Sequence, residues 1–106
     1  MYATASKSPE SKKLRMAAGK WLKSLREGQG LTQREVADRV GLRYYTFISQ
    51  IEGGHGRIPP EQYEAWADAL GVDHKTFVRT LMQYYDPHAH RMLFGSADDK
   101  PAASAS

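Results

Sequence analysis

The chain has 106 residues, of which 41% are hydrophobic and 25% are charged, and it contains no cysteine. This length supports one domain with a single core, and the lack of cysteine excludes disulfides, a thiol nucleophile and a thiolate zinc site. No segment of the sequence has the apolar length of a membrane span or the apolar run of a secretory signal, so we expect a cytoplasmic protein.

The formal net charge of +3 hides an uneven distribution of charge along the chain. A basic front half is typical of a protein that binds a polyanion, but it is also typical of a helix with an ordinary solvated face. Charge alone therefore leaves both interpretations open. Between residues 7 and 26 Glu10 is the sole acid, against seven cations: Lys7, Lys12, Lys13, Arg15, Lys20, Lys23 and Arg26.

Hydrophobic spacing predicts an all-α fold, a compact bundle of five helices with no strand. Residues 1–10 are small and polar and are expected to form a flexible N-terminal tail, and residues 95–106 have the composition of a disordered tail. The domain itself spans residues 11–86, with residues 87–94 as an extension beyond it. The predicted helices cover about residues 11–26, 33–40, 44–52, 60–70 and 74–85.

Local signals mark the ends of several of these helices. Thr32 and Glu35 have the spacing of a capping box at the start of the second helix, and Gly41 is placed to end it in a left-handed cap. Gly71 ends the fourth helix in the same way, and Asp73 is an N-cap for the fifth. These signals predict short helices that are joined by loops of a few residues.

The second and third helices form the most informative pair in the sequence. Ala37 is small enough to let the next helix cross closely, and Gly41 permits a sharp turn between the two. Ile48 and Ile51 give the third helix an apolar anchor, while its opposite side is polar. Such a pair holds its second helix outward, where it fits the major groove of DNA.

This pattern resembles the XRE family, the helix-turn-helix transcriptional regulators related to the phage repressor and Cro proteins. The resemblance covers about residues 12–83 and implies a phage-repressor-like fold that binds double-stranded DNA in a sequence-specific way. Family members often act as dimers on palindromic operators. The matching segments are Leu31–Gln33, Val36–Ala37, Val40–Gly41, Ile48–Gly54 and Ala69–Val72.

The turn between the second and third helices is one residue longer than the usual family spacing. Without an insertion in the turn, Phe47 and Gln50 would fill the two core positions of the third helix. Burying the Gln50 amide without a partner would cost about 1–3 kcal/mol. The extra residue is therefore expected in the turn, which keeps Ile48 and Ile51 inside and leaves the first residue of the recognition helix open.

With this register, the recognition helix of residues 44–52 presents Tyr45, Thr46, Ser49 and Gln50 on the face opposite its core. The resemblance implies that these four residues contact bases. The amide of Gln50 can pair with N6 and N7 of adenine, and the methyl group of Thr46 can contact thymine. Tyr45 reaches either a base or a phosphate. The alternative is that these are ordinary solvent-exposed residues.

Five further residues are assigned to DNA phosphates. Gln33 begins the second helix, where the family commonly places a glutamine against the DNA backbone and where the helix dipole favours an anion. The others are Arg43 in the turn, Tyr44 at the start of the third helix, Arg57 in the glycine-rich loop and Lys23 on the first helix. Each cation is equally well explained as a plain surface charge.

Arg26 and Glu52 have a different expected role. The resemblance pairs an arginine at the end of the first helix with a glutamate at the end of the third, and both residues stand at those places. We predict that they form a structural ion pair and do not read bases. Removal of one partner is then destabilising, because it leaves the other charge partly buried and unpaired.

Nothing in the sequence predicts an enzyme, a cofactor or a metal site. His88 and His90 are two residues apart but lack a third ligand, and no glycine-rich phosphate loop follows a strand. Asp98 and Asp99 lie in the predicted C-terminal tail, which cannot hold a catalytic geometry.

The alternative function is an antitoxin-like or adaptor module that uses the same fold to bind a protein. A late group of apolar residues favours it: Tyr84, Tyr85, Met92, Leu93 and Phe94. These residues either fold back on the core or form a partner surface. A homodimer seam is the favoured version, since a palindromic operator matches a two-fold dimer. As a DNA-binding regulator, the protein is expected in the cytoplasm and associated with the nucleoid.

Overall fold

The computed structural model of the chain describes residues 8–95. Within that range every regular element is helical, which confirms the all-α class. The predicted count of five helices is wrong, because residues 87–94 form a sixth helix that opens on a proline, a residue suited to a first helical position. The helices are α1 (Pro9–Gly28), α2 (Gln33–Val40), α3 (Thr46–Glu52), α4 (Tyr63–Leu70), α5 (His74–Tyr85) and α6 (Pro87–Phe94), and a short 3-10 turn, Pro60–Gln62, precedes α4.

The first helix begins earlier than predicted. Ser8 is its N-cap, and the Ser8 hydroxyl accepts a hydrogen bond from the Ser11 N–H at 3.1 Å. Residues 8–10 therefore belong to the cap and first turn of α1 and not to a tail. The remainder of the two predicted tails, residues 1–7 and 96–106, lies outside the described residues. Over residues 8–95, none of the helices combines the length and the apolar character that crossing a membrane requires.

Two local signals fix the ends of α2. The Thr32 hydroxyl accepts a hydrogen bond from the Glu35 N–H at 3.0 Å, and the Glu35 carboxylate accepts one from the Thr32 N–H at 2.8 Å. The bond from the Thr32 backbone holds the pKa of the Glu35 carboxyl below its usual range. Gly41 ends the helix with a φ of 84°, which glycine adopts without strain. The predicted capping box and glycine cap are both confirmed.

One continuous core is built from residues of all five helices from α1 to α5. Trp21 of α1 packs at the edge of this core, with its ring centroid 5.6 Å from that of Phe77. Complete burial of a large apolar side chain contributes about 1.5–3 kcal/mol, so this core is the main source of stability. The largest fully buried side chains are Leu22, Val36, Ile48, Ile58, Trp66, Leu70, Phe77 and Leu81.

The end of α5 is part of this packed domain. The Tyr85 hydroxyl accepts a hydrogen bond from the Ile58 N–H at 3.2 Å, and burial raises the pKa of that hydroxyl. The ring of Tyr84 lies 6.1 Å from that of Trp21. Of the two alternatives predicted for these residues, folding back on the core describes Tyr84 and Tyr85, because both rings pack against other residues of the domain.

A histidine links α4 to α5 across the turn between them. The His74 Nε2 atom lies 2.7 Å from Oδ1 of Asp68, and its Nδ1 atom lies 3.9 Å from Oε2 of Glu64. The hydrogen bond with Asp68 raises the pKa of His74 above its ordinary value. The folded state therefore binds a proton at His74 more tightly than the unfolded state does.

This linkage predicts a pH-dependent effect of His74→Asn. The contribution of His74 to stability is complete below its unfolded-state pKa and is lost as the pH rises through its higher folded-state pKa. We expect His74→Asn to lower the melting temperature at about pH 5.5 and to have little effect at about pH 8.5. His55→Asn is the control, because His55 forms no ion pair in residues 8–95. An equal loss at both pH values for His74→Asn would contradict the linkage.

Candidate nucleic-acid interface

The connection between α2 and α3 is an open turn without a side-chain cap. Tyr45 occupies the N-cap position of α3 in a helical backbone conformation and makes no capping hydrogen bond through its side chain. The recognition helix, predicted from residue 44, therefore starts later, at Thr46. Backbone carbonyls take the place of a side-chain cap in the first turn: the Phe47 N–H donates to the Tyr44 carbonyl at 3.3 Å, and the Ile48 N–H donates to the Tyr45 carbonyl at 2.9 Å.

The register of α3 is the one predicted from the cost of burying the Gln50 amide. Ile48 is 0% exposed and Ile51 is 7% exposed, whereas Phe47 is 47% exposed. Gln50 is also exposed. The prediction that the two isoleucines anchor this helix and that Gln50 faces outward is confirmed.

The four predicted base-contacting residues lie on one exposed surface. Tyr45, Thr46, Ser49 and Gln50 are all solvent-exposed, and they surround the side of α3 opposite its buried isoleucines. Positions three or four apart on a helix lie on neighbouring parts of its surface. The structure therefore brings these side chains together on the outer face of α3.

Two arginines border this face. The guanidinium of Arg34, on α2, lies 4.9 Å from the ring centroid of Tyr45, and that of Arg43, in the turn, lies 5.9 Å from the ring centroid of Tyr44. Stacking on an aromatic ring orients a guanidinium while leaving its N–H groups available. Sequence reasoning identified Arg43 and Tyr44 but missed Arg34, whose only signal was its place in the first turn of α2, next to Gln33.

The ends of α1 and α3 are joined by a buried ion pair. Arg26 Nε lies 2.7 Å from Glu52 Oε2, and the side chains of Arg26 and Glu52 are only 10% and 4% exposed. Arg26 Nη2 donates to Glu52 Oε1 at 3.1 Å, and Nη1 donates to the Leu31 carbonyl at 2.8 Å. The hydrogen bond to Glu52 raises the pKa of Arg26. This arrangement is the pair that the sequence predicts.

Gln33 is part of the same network. Its Nε2 atom donates to Glu52 Oε1 at 3.1 Å, so the start of α2 is attached to the end of α3. A side-chain amide nitrogen carries two hydrogens, and one of them remains available for a second acceptor. Gln33 is thus oriented by Glu52 and retains one donor for a phosphate.

Of the other two predicted phosphate ligands, Arg57 lines a groove beside α3 together with Phe47 and Gln50, whereas Lys23 lies on α1. Arg57 Nη2 is 3.1 Å from Asp86 Oδ2, and its guanidinium stacks 4.5 Å from the ring centroid of Tyr85. Arg57 is therefore paired with Asp86 at the junction of α5 and α6. Lys23 is exposed on α1, and no hydrogen bond or ion pair within residues 8–95 links it to the face of α3.

Two glycines, Gly19 and Gly54, allow α3 to approach α1, a role that sequence reasoning assigned to neither of them. A Cβ atom on Gly19 would lie 2.1 Å from the Glu52 carbonyl oxygen, and one on Gly54 would lie 2.9 Å from the Met16 Cα. Gly54 also has a φ of 82°. Both positions therefore exclude any side chain. The sequence shows that these glycines exist but does not show which helix they meet.

The apolar end of α6 stands apart from this site. Met92 is 83% exposed, Leu93 66% and Phe94 43%. The ring of Phe94 is covered in part by the Arg79 guanidinium, 4.4 Å from its centroid. Within residues 8–95, no group of three or more histidine, aspartate or glutamate side chains is placed to hold a metal ion.

An outward-facing short helix of seven residues, anchored by two isoleucines and preceded by a helix of eight residues, defines a helix-turn-helix domain. A family model described as a helix-turn-helix domain matches residues 14–79. The chain belongs to this helix-turn-helix family, and its membership implies a DNA-binding role. No curated protein matches the chain.

Proposed function

We propose that this protein is a sequence-specific transcriptional regulator of the XRE type, which inserts α3 into the major groove of DNA. The observation that supports this most is the two-sided character of α3. Ile48 and Ile51 are buried, whereas Thr46, Ser49 and Gln50 are exposed and polar. A helix of this kind can offer hydrogen-bonding groups to base edges without disturbing the core.

The roles of the individual residues follow from their chemistry. Gln50 pairs with an adenine, the Thr46 methyl group contacts a thymine, and Ser49 and Tyr45 contact neighbouring bases or phosphates. The phosphate contacts come from residues that border α3: Gln33, Arg34, Arg43 and Tyr44, with Lys23 adding long-range attraction. The proposed function includes no catalytic step, cofactor or metal.

The proposal includes a homodimer on a palindromic operator. Met92 and Leu93 are the most exposed large apolar residues of α6, and a two-fold axis through this helix would cover them in both copies. Two recognition helices would then read half-sites about one helical turn of DNA apart. Such a regulator works in the cytoplasm, in association with the nucleoid.

Selection of bound sequences from a random double-stranded DNA pool tests this function. We expect enrichment of a palindrome, and binding to it should weaken with salt, with a slope of about −0.9 per phosphate contacted. Enrichment of one non-repeated site would support DNA reading but contradict the dimer. Affinity that does not change with salt would contradict the phosphate contacts.

On the selected operator, Gln50→Ala is expected to weaken binding by about tenfold, since a bidentate amide–adenine contact provides about 1–3 kcal/mol of discrimination. The loss should disappear when the paired adenine is itself replaced. Gln83→Ala, which removes an exposed glutamine from α5, is the matched control and should bind like the parent. An unchanged preference profile in Gln50→Ala would contradict base reading by this residue.

The second candidate is an antitoxin-like or adaptor module, and the exposed apolar end of α6 favours it. The same selection separates the two functions. A pool that yields no enriched sequence at low salt removes the DNA-reading function and leaves the protein-binding module.

A further inference from the structure

An exposed aromatic pair lies at the start of the recognition helix. Tyr44 is 56% exposed and Phe47 is 47% exposed, and their ring centroids are 6.4 Å apart. The core positions of α3 are already filled by Ile48 and Ile51. Phe47 is therefore not required by the core, and its exposed ring needs another explanation.

Phe47 forms one wall of an apolar groove. The groove has a volume of about 340 Å³ and runs between α3 and the loop that leads to α4. Its apolar lining comes from Leu42, Phe47, Ile51 and Pro59, and the rest of its lining is Gln50, Gly56, Arg57 and Gln62. The groove therefore joins an apolar surface to the residue that is proposed to read an adenine.

Major-groove edges of DNA offer one apolar group, the C5-methyl of thymine. Phe47 and Gln50 are three positions apart on α3, so they reach adjacent parts of the same surface. We propose that Phe47 is a specificity-determining residue, which packs its ring against the C5-methyl of a thymine next to the adenine that Gln50 reads. This inference rests on the proposed function, because it requires α3 in the major groove.

The surroundings of the groove favour DNA over a protein as its occupant. Arg43 stacks on Tyr44, which in turn contacts Phe47, so a cation borders the aromatic pair directly. Gln50, an exposed side chain of α3, is the neighbour of Phe47 on the polar side of the same helix. The apolar groove is thus continuous with the polar face of α3. A base edge in the major groove offers methyl groups beside hydrogen-bonding atoms, so it fits both surfaces.

The test uses DNA that lacks single methyl groups. In the operator obtained by selection, each thymidine is replaced in turn by deoxyuridine, and affinities are measured for the parent chain and for Phe47→Ala. Burial of one methyl group corresponds to about a fourfold change in affinity. We expect a loss of about this size for the parent chain at one thymine per half-site, next to the Gln50-dependent adenine, and no loss there for Phe47→Ala. Phe47→Leu should keep part of the parent's sensitivity to the missing thymine methyl group.

The possible outcomes separate the two proposals. If deoxyuridine weakens the parent and Phe47→Ala equally at every position, the role of Phe47 is overturned, while Gln50-dependent binding still supports the proposed function. If no sequence is enriched at all, the proposed function fails first and this inference fails with it. If the melting temperature of Phe47→Ala is close to that of the parent, its loss of sensitivity to the missing thymine methyl group does not come from unfolding.

Discussion

Replacing Arg26 with methionine is expected to lower the free energy of unfolding by about 3–5 kcal/mol. The Arg26 side chain makes two contacts with the Glu52 carboxylate and one with the Leu31 carbonyl. Its removal leaves Glu52, whose side chain is 4% exposed, as a buried charge whose one remaining side-chain partner within residues 8–95 is the Gln33 amide. The large loss in the free energy of unfolding comes from leaving the Glu52 charge buried without its cationic partner, and not from the net energy of the intact pair.

Urea unfolding of the parent and the variants measures this loss. Lys20→Met is the matched control, because Lys20 is an exposed cation on the same helix and its replacement should change stability by less than about 0.5 kcal/mol. The double variant Arg26→Met with Glu52→Leu removes both charges and should regain part of the loss. If Arg26→Met unfolds at the same urea concentration as Lys20→Met, the pair has no structural role.

The pair also matters for the geometry of the interface. Glu52 is the last residue of α3, and Gln33 is the first residue of α2. The network of Arg26, Glu52 and Gln33 therefore attaches both helices of the helix-turn-helix to the end of α1. Loss of Arg26 is expected to weaken DNA binding in addition to stability, because α3 would no longer be held in one orientation.

The sequence predicts those parts of the fold that short-range chemistry determines. The ends of α2 depend on Thr32, Glu35 and Gly41, which lie within a few residues of the groups they satisfy. The same is true of the Asp73 cap of α5, whose carboxylate accepts the Thr76 N–H at 3.1 Å. In these places the residue type and its spacing fully specify the local structure.

Other features depend on contacts between distant parts of the chain. The Arg57 guanidinium is engaged by Asp86, a residue that follows α5 and has no sequence signal linking it to the glycine-rich loop. The sixth helix did have a signal, Pro87 at its first position, but a proline after a helix also marks a stop. Whether Pro87 starts a helix or marks the end of one is decided by the packing of α6 against α5, which is a tertiary property.

The candidate site also combines features that short-range chemistry determines with features that depend on distant contacts. The outward register of Gln50 is predictable because burial of an unpaired amide has a known cost. The Arg34 contact with Tyr45 is not predictable, since it depends on the angle between α2 and the turn. The groove beside Phe47 also escapes prediction, because Pro59 reaches it from the loop beyond α3.

Gly19→Ala is expected to have the second large effect. The added Cβ would lie 2.1 Å from the Glu52 carbonyl oxygen and 2.8 Å from the Ile51 carbonyl oxygen, so α1 and α3 must move apart. Both obstacles are backbone atoms, which cannot move aside as a flexible side chain can. Overpacking of this kind typically costs about 1–3 kcal/mol, which exceeds the gain of up to about 1 kcal/mol from alanine in a helix.

Gly28→Ala is the matched control for this prediction, since Gly28 also lies in α1 but a Cβ there meets no atom within 4 Å. We expect Gly28→Ala to be neutral or slightly stabilising and Gly19→Ala to lower both the melting temperature and the affinity for the selected operator. Because the shift displaces the end of α3 and with it the Arg26–Glu52 pair, affinity should fall even at temperatures where the variant is fully folded. Equal stability and equal DNA affinity of the two variants would mean that the close approach at Gly19 does not position the recognition helix.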